Sequence, residues 1–339
     1  MSRSARLFFT FLVVYLLALP DACFSSKPIE LRRVRLLMGT KVEIIVQGRD
    51  RKQLEQAVEK GFKEIKRLEQ KLSRFQQDSL ISRINAQAGK SPVPVDREVF
   101  FLLKTAKEIC QESQRAFDPT ILPVLELWRF GEENPQPPFE PEIKKRLKLV
   151  NCERLILDSD KNTAYLSKPG MAIDLGGIAK GYACDRVVEI LKKSGVKAGI
   201  VNIGGDLRVF GAPDKGFAIG IQDPQKKNQI IAKIYLKNSA VATSGDYERY
   251  FIFQGKRYSH ILDPRTGFPA RGERSVSVLA DKGIMADAWA TALFVLGSRE
   301  GMKLVNTHPE LEAVFIDADG SRKISPGLKE KIIWLKEEE

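Results

Sequence analysis

The chain has 339 residues, 43% hydrophobic and 29% charged. That is enough apolar material for a large packed core and excludes a disordered chain. The formal net charge is +12, yet the basic residues are dispersed in small runs such as Lys144-Lys145-Arg146 and Lys192-Lys193 on predicted helix faces. No zinc-knuckle, helix-turn-helix or aromatic-basic pattern accompanies them, so no nucleic acid partner is expected. A solvated surface with some attraction to anionic lipid fits the charge better.

Residues 1–22 read as an export signal. Arg3 and Arg6 form a positive n-region, and Leu7 to Leu19 an apolar run broken only at Thr10, too short for a comfortable membrane span. Ala22 before Cys23 suits a lipoprotein signal, in which the thiol takes the lipid. Pro20 stands where leucine is usual, which leaves lipidation at Cys23, simple cleavage and an uncleaved anchor as alternatives. The expected location is the periplasmic face of the inner membrane.

Residues 23–33 read as a linker and residues 34–339 as one domain. A strand is predicted around Lys41 to Gln47. Arg51 to Leu72 carries Leu54, Val58, Ile65, Leu68 and Leu72 at helical spacing. A short segment follows at Leu80 to Asn85. The next helix starts near Asp96, with Val99, Leu102, Leu103, Ala106 and Cys110 on one face. The prolines between Asn134 and Pro141 mark a surface loop, followed by a helix and paired strands at Arg154 to Asp158 and Thr163 to Leu166. A strand from Met171 to Leu175 leads through a glycine-rich turn into a helix from Tyr182 to Ser194, with Gly195 as its stop. Strands are predicted at Ile200 to Ile203, Phe217 to Ile221, Ile230 to Leu236, Tyr250 to Phe253 and Ser275 to Leu279. An apolar helix runs from Asp287 to Leu296 and closes at Gly297. Helices mixed with hairpin-like strands indicate an α+β fold.

After Cys23, the cysteines Cys110, Cys152 and Cys184 form no CxxC pair. An odd count argues against a complete disulfide framework, and Cys110 and Cys184 are expected as buried free thiols. The histidines, His260 and His308, are too few for a histidine-rich metal site.

The segment Ile173-Asp174-Leu175-Gly176-Gly177-Ile178-Ala179-Lys180-Gly181 joins a strand to a helix. Small residues there let a phosphate approach backbone N–H groups at a positive helix end. It matches neither GxxxxGK[ST] nor GxGxxG, and alone it reads equally well as a tight connection. Val201 to Asp206 is a second strand-to-glycine turn. Thr243-Ser244-Gly245-Asp246-Tyr247 and Tyr258 to Gly267 follow, the latter placing His260 in a strand before an Asp-Pro turn. Asp287 and Thr291, four residues apart, share one helix face. Their oxygens suit a sparse Mg²⁺ site, although a first-turn aspartate and a threonine bonded to its own helix is the blander reading.

Taken together these blocks resemble the ApbE family, the FAD:protein FMN transferases. The resemblance runs from Met38 to Asp317 and rests on Met38-Gly39-Thr40, Leu72-Ser73-Arg74-Phe75, Asp78 with Ile81 to Asn85, Ala116 to Thr120, the glycine-rich turn, Thr243 to Tyr247, His260 to Gly267 and Ala286 to Thr291. It implies two T-fold-like halves with mixed or antiparallel sheets and packed helices, the ligand site lying between them. It also implies that FAD is split, that AMP leaves, and that FMN is esterified to a Thr or Ser of an acceptor flavoprotein, a subunit of a membrane electron-transfer complex. By the same resemblance Met38, Phe75, Ala116, Phe117, Asp118, Asp174, Lys180, Ser244 and Ile261 would line the FAD site. The Gly177 carbonyl, Asp287 and Thr291 would hold Mg²⁺. Phe75 replaces the tyrosine common in the family, keeping an aromatic face without the hydroxyl. His260, near its ordinary pKa and backed by Asp263, would be the general base. A pyrophosphatase that hands FMN to water and a non-catalytic FAD-binding protein are the rival readings.

Overall fold

The computed structural model describes residues 28–226 and 229–335. The expected export signal and Cys23 lie outside them. Strand β1 (Ile29–Leu37) pairs antiparallel with β2 (Thr40–Gly48), Ile29 facing Gly48. The linker expected to reach residue 33 therefore ends before Ile29. As an edge strand with only Leu31 buried, β1 lacks the alternation that reveals a half-buried strand.

Helix α1 (Arg51–Leu72) has the boundaries its apolar spacing predicts. Asp50 caps it, accepting the Gln53 N–H at 3.1 Å, and Leu54, Val58, Phe62, Ile65 and Leu68 form its buried face. An insertion follows: α2 (Leu80–Ala86), β3 (Val93–Pro94), α3 (Arg97–Glu112), α4 (Leu122–Leu125), α5 (Glu140–Leu147), β4 (Leu155–Asp158) and β5 (Thr163–Leu166). Strands β3, β5 and β4 make a small sheet in that order. Then come α6 (Ala179–Lys193), β6 (Ala198–Ile203), β7 (Asp206–Phe210), β8 (Phe217–Gln222), β9 (Ile230–Leu236) and β10 (Ala240–Gly245). The chain continues with β11 (Tyr250–Phe253), β12 (Lys256–Ser259), β13 (Glu273–Ala280), α7 (Gly283–Val305), β14 (Glu312–Asp317), β15 (Arg322–Ile324) and β16 (Ile332–Trp334).

The central sheet has eight strands in the order β1-β2-β6-β7-β10-β13-β14-β15, each pairing antiparallel. Two ββααββ halves compose it. The first is β1, β2, α1, α6, β6 and β7. The second is β10, β13, the two segments of α7 and β14, β15, since Gly297 (φ 76°, ψ 168°) breaks α7. The halves join where Val241 of β10 faces Leu207 of β7. This is the α+β, two-half architecture that the resemblance implies.

Helices α1, α6 and α7 cover one face of the sheet with the main core. On the other face Val209, Val241, Leu279 and Val314 pack against Ile219 and Ile221 of β8 and Ala232 and Ile234 of β9. Both faces of β13 are thus covered, and each fully buried aliphatic side chain contributes roughly 1.5–3 kcal/mol.

Two local expectations change. Met171 to Leu175 is not a strand but an extended strip with one parallel bridge, Ala172 to Ile121. The side chain of Asn85 takes the place of a neighbouring strand, accepting the Ile173 N–H at 2.8 Å and donating to the Ile173 carbonyl at 3.0 Å. The second change concerns cysteine: Cys110 and Cys152 form a disulfide across 42 residues, leaving Cys184 buried and free. The odd count hid one complete pair plus a core thiol.

Candidate functional site

The site begins where α6 and α7 cross. Gly181 on α6 lies against Gly283 at the start of α7, and a Cβ on Gly181 would collide with the Gly283 carbonyl and stand 2.7 Å from Asp287 Cβ. Only glycine permits this approach. Four residues along the same face of α6, Asp185 accepts the first N–H groups of α7, Gly283 at 2.8 Å and Ile284 at 3.0 Å. It caps α7 from a neighbouring element, and Arg208 Nε donates to it at 3.1 Å.

This crossing brings the glycine-rich turn to Asp287. The Asp287 carboxylate is buried, accepts the Gly181 N–H at 2.9 Å and lies 3.4 Å from Lys180 Nζ. Thr291, one turn further along, points its hydroxyl at the Asp287 carbonyl (3.4 Å). A Cβ at Gly177 would stand 3.0 Å from Thr291 Oγ1 and 3.2 Å from Phe117 Cε2. The two parts of the predicted metal site, over a hundred residues apart in sequence, are therefore in contact in space.

Lys180 lies between two buried carboxylates, Asp287 and Asp206, with a short ion pair to Asp206. Burial works against the ammonium charge, but both carboxylates outweigh it and hold its pKa above the usual lysine range. Burial and the Asp287 charge push the Asp206 carboxyl up, against the pull of Lys180. Asp206 closes the Val201 to Asp206 motif, whose Gly204 (φ +62°) and Gly205 (φ +98°) turn the chain sharply. Its role as the lysine's partner is not legible without the fold.

Asp174 fixes the entrance to the turn. One oxygen accepts the Gly176 N–H at 2.5 Å, and the other makes an ion pair with Arg74 Nε at 2.6 Å. The Arg74 guanidinium sits 4.1 Å over the Phe75 ring. Phe75 is 79% exposed, so its outer face is open for stacking. The Asp174 N–H donates to the Pro119 carbonyl at 2.8 Å, which ties the Ala116 to Thr120 strip to the turn. Ala116 and Phe117 are buried there.

Asp118 behaves differently from its expected role as an FAD-lining side chain. Its Oδ1 accepts the Thr120 N–H and hydroxyl at 2.9 and 2.6 Å, and its Oδ2 the Cys152 N–H at 3.1 Å. Both oxygens serve the loop beside the disulfide. Cys110, Asp118 and Cys152 are close enough to suggest a metal cluster, but the disulfide occupies both sulfurs.

Met38 occupies the β1–β2 turn with φ +52° and is half-buried. The same turn adjoins two others: a Cβ on Gly204 would meet Thr40 Oγ1 at 2.7 Å, and one on Gly39 would lie 4.0 Å from Arg249 Nη2. Arg249 in turn holds His260, which follows β12 rather than lying in a strand. The Arg249 carbonyl accepts the His260 N–H at 2.9 Å and faces Nδ1 at 3.1 Å. That contact fixes the proton on Nδ1 and leaves the Nε2 lone pair free. Burial, then the positive charges of Arg249 and Lys180, lower the His260 pKa to about 4. The expectation of an ordinary pKa backed by Asp263 is corrected, because Asp263 is held by Arg265 at 2.8 and 2.9 Å. Ile261 is buried, with its carbonyl accepting the Ala270 N–H at 2.9 Å. Ser244 sits half-buried on β10 opposite Val276.

Sequence reasoning passed over Arg74, Asp185, Asp206, Arg249 and Gly283. Arg74 and Asp206 lay inside motifs already singled out, and the i, i+4 spacing of Gly181 and Asp185 was a readable sign of a shared helix face.

Residues 38–315 match the model of the ApbE family. A FAD:protein FMN transferase of Klebsiella pneumoniae is 36% identical over 283 residues, 83% of this chain and 87% of that one. One from Treponema pallidum is 33% identical over 321 residues, 89% of each chain. Among solved structures, the ApbE protein of Thermotoga maritima superposes with a TM-score of 0.83 at 37% identity, covering 90% of this chain and 99% of that one. The flavin transferase ApbE of Vibrio cholerae does so with 0.79 at 29% identity, covering 90% and 99%.

Proposed function

The chain belongs to the ApbE family, and we propose that it is a magnesium-dependent transferase that moves FMN from FAD onto a Thr or Ser hydroxyl of an acceptor flavoprotein, releasing AMP. The observation that carries this reading is the meeting of the glycine-rich turn with Asp287 and Thr291 across the α6–α7 crossing.

The donors fit Mg²⁺. A carboxylate, a hydroxyl and a backbone carbonyl are hard oxygen ligands, and the place is already built to face a cation, since Lys180 Nζ stands 3.4 Å from Asp287. Gly177 suits its part because a side chain there would crowd Thr291 Oγ1. When bound, the ion neutralises pyrophosphate charge and stabilises the departing AMP.

The chain's own groups supply the rest. Lys180, kept protonated by its carboxylates, offers a fixed positive charge to the pyrophosphate. Phe75, Phe117 and Met38 offer apolar surface for the ring systems of FAD. His260, neutral with Nε2 free, takes the acceptor hydroxyl's proton as that oxygen attacks the FMN phosphorus and the bond to AMP breaks. The acceptor is a flavoprotein subunit of a membrane electron-transfer complex. We further propose export to the periplasmic face of the inner membrane, with Cys23 lipidated. The Cys110–Cys152 disulfide supports an oxidising compartment.

One assay separates transfer from its rivals. The protein is incubated with FAD, Mg²⁺ and a candidate acceptor, and AMP, free FMN and acceptor-bound flavin are measured. Transfer gives AMP with acceptor-bound flavin, and EDTA abolishes both. AMP with free FMN alone indicates a pyrophosphatase. Absence of AMP under every condition would reject both enzyme readings.

A further inference from the structure

A cavity of about 380 Å³ lies beyond Asp118, between the α5 segment and the turn after His260. Arg115, Lys144, Lys148, Arg154 and Arg265 line it together with Asn151, and no carboxylate does. Three of the five cations pair with carboxylates outside the cavity, Lys144 with Glu140 at 2.7 Å, Arg265 with Asp263 and Arg115 with Asp118 at 3.6 Å.

The other two, Lys148 and Arg154, keep their charge. Arg115 also donates through Nη2 to the Val150 carbonyl at 2.6 Å, which fixes its guanidinium at the wall. Arg154 Nη1 donates to the Lys148 carbonyl at 3.1 Å. Carbonyl partners orient a guanidinium without cancelling its charge. Among the described residues no carboxylate pairs with Arg154 or with the Lys148 ammonium. Asn151 Oδ1 accepts the Glu153 N–H at 2.9 Å, so its amide nitrogen remains a neutral donor. Like charges gathered in a concave wall repel one another, and an anion placed among them relieves that repulsion.

From this arrangement we infer that the cavity is a second anion site and that it takes a phosphate-bearing ligand. A phosphate presents oxygens in several directions to cations on different walls, and arginine forks match its geometry. The FAD groups described above, Asp174, Lys180 and Asp287, do not line it. The inference holds whether or not the chain transfers FMN. The phosphate could be that of a free nucleotide or of a lipid headgroup, which share this chemistry.

The test uses the full chain saturated with FAD in EDTA, so that the primary site is filled and turnover is stopped. Inorganic phosphate and AMP are titrated by calorimetry, and vesicles of phosphatidylglycerol or phosphatidylcholine are tested by co-sedimentation. Saturable binding is expected, weakened at least about tenfold by Lys148→Ala combined with Arg154→Ala, with FAD affinity unchanged. Soluble probes alone would identify a free phosphate ligand; selective capture by phosphatidylglycerol would identify a headgroup. Lys148→Ala by itself keeps the test valid if the double variant folds poorly, with a smaller loss. Three results would overturn the proposal: no binding of any phosphate probe up to about 10 mM, binding indifferent to both substitutions, or hexaglutamate binding that depends on Lys148 and Arg154 where phosphate does not bind.

Discussion

Asp287→Asn is expected to lower the rate of AMP release by about a thousandfold or more, equivalent to ~4 kcal/mol of barrier. Charge, not shape, is what the substitution removes. Asparagine keeps an oxygen to accept the Gly181 N–H, now received by Asp287 Oδ2 at 2.9 Å, so the α6–α7 crossing should persist. What is lost is the anionic oxygen that would hold Mg²⁺ beside the Gly177 carbonyl and Thr291. Lys180 keeps Asp206 as its partner, so its charge is not set free. The checks are single-turnover AMP release and thermal unfolding of the same preparation. A collapse of both would assign Asp287 to the fold; unchanged AMP release would remove it from the chemistry.

His260→Ala is the second large effect. Transfer should fall by roughly 10²–10⁴-fold, the span usual for loss of a general base, while FAD affinity changes little. His260 reaches its place through backbone contacts with Arg249, so removing the ring leaves the strip to Ile261 tethered by the His260 N–H. The pH dependence sharpens this. A base with its pKa lowered to about 4 is already neutral through the whole physiological range. The acid limb of kcat/KM for transfer should therefore lie near pH 4, with no loss on going from pH 8 down to about pH 5. An acid limb near 6.5 would contradict the shift caused by burial and the Arg249 charge. Equal losses of binding and transfer, measured by FAD titration and acceptor labelling, would reduce His260 to a flavin-positioning group.

How far the sequence could be read depended on whether a feature was local. Helix α1 was legible to the residue because its apolar stripe and its Asp50 cap are properties of consecutive residues. Strand β1 was not, since an edge strand with arginines along it carries no alternation. The start of α6 was placed three residues late, at Tyr182 rather than Ala179. Its first turn is made of the same small residues that form the phosphate-type turn, so propensity and function wrote over one another.

The site divides in the same way. Asp174, Gly177, Lys180, Asp287 and Thr291 could be nominated because each lies in a recognisable block. That the blocks meet depends on Gly181 against Gly283 and on Asp185 capping α7, contacts that no spacing along the chain encodes. Asp118 shows the reverse case. Its block was recognised, but its side chain was recruited by Thr120 and Cys152 next to a disulfide whose pairing spans 42 residues. The depressed basicity of His260 likewise comes from burial and from Arg249, groups brought close only by the fold.

A divalent ion is expected to join the glycine-rich turn to α7. Anomalous scattering from crystals grown with FAD and Mn²⁺ in place of Mg²⁺ tests it most directly. One manganese is predicted within roughly 2.0–2.3 Å of the Gly177 carbonyl, an Asp287 oxygen and Thr291 Oγ1. FAD bound with no metal there, or with the metal held by other residues, would contradict it.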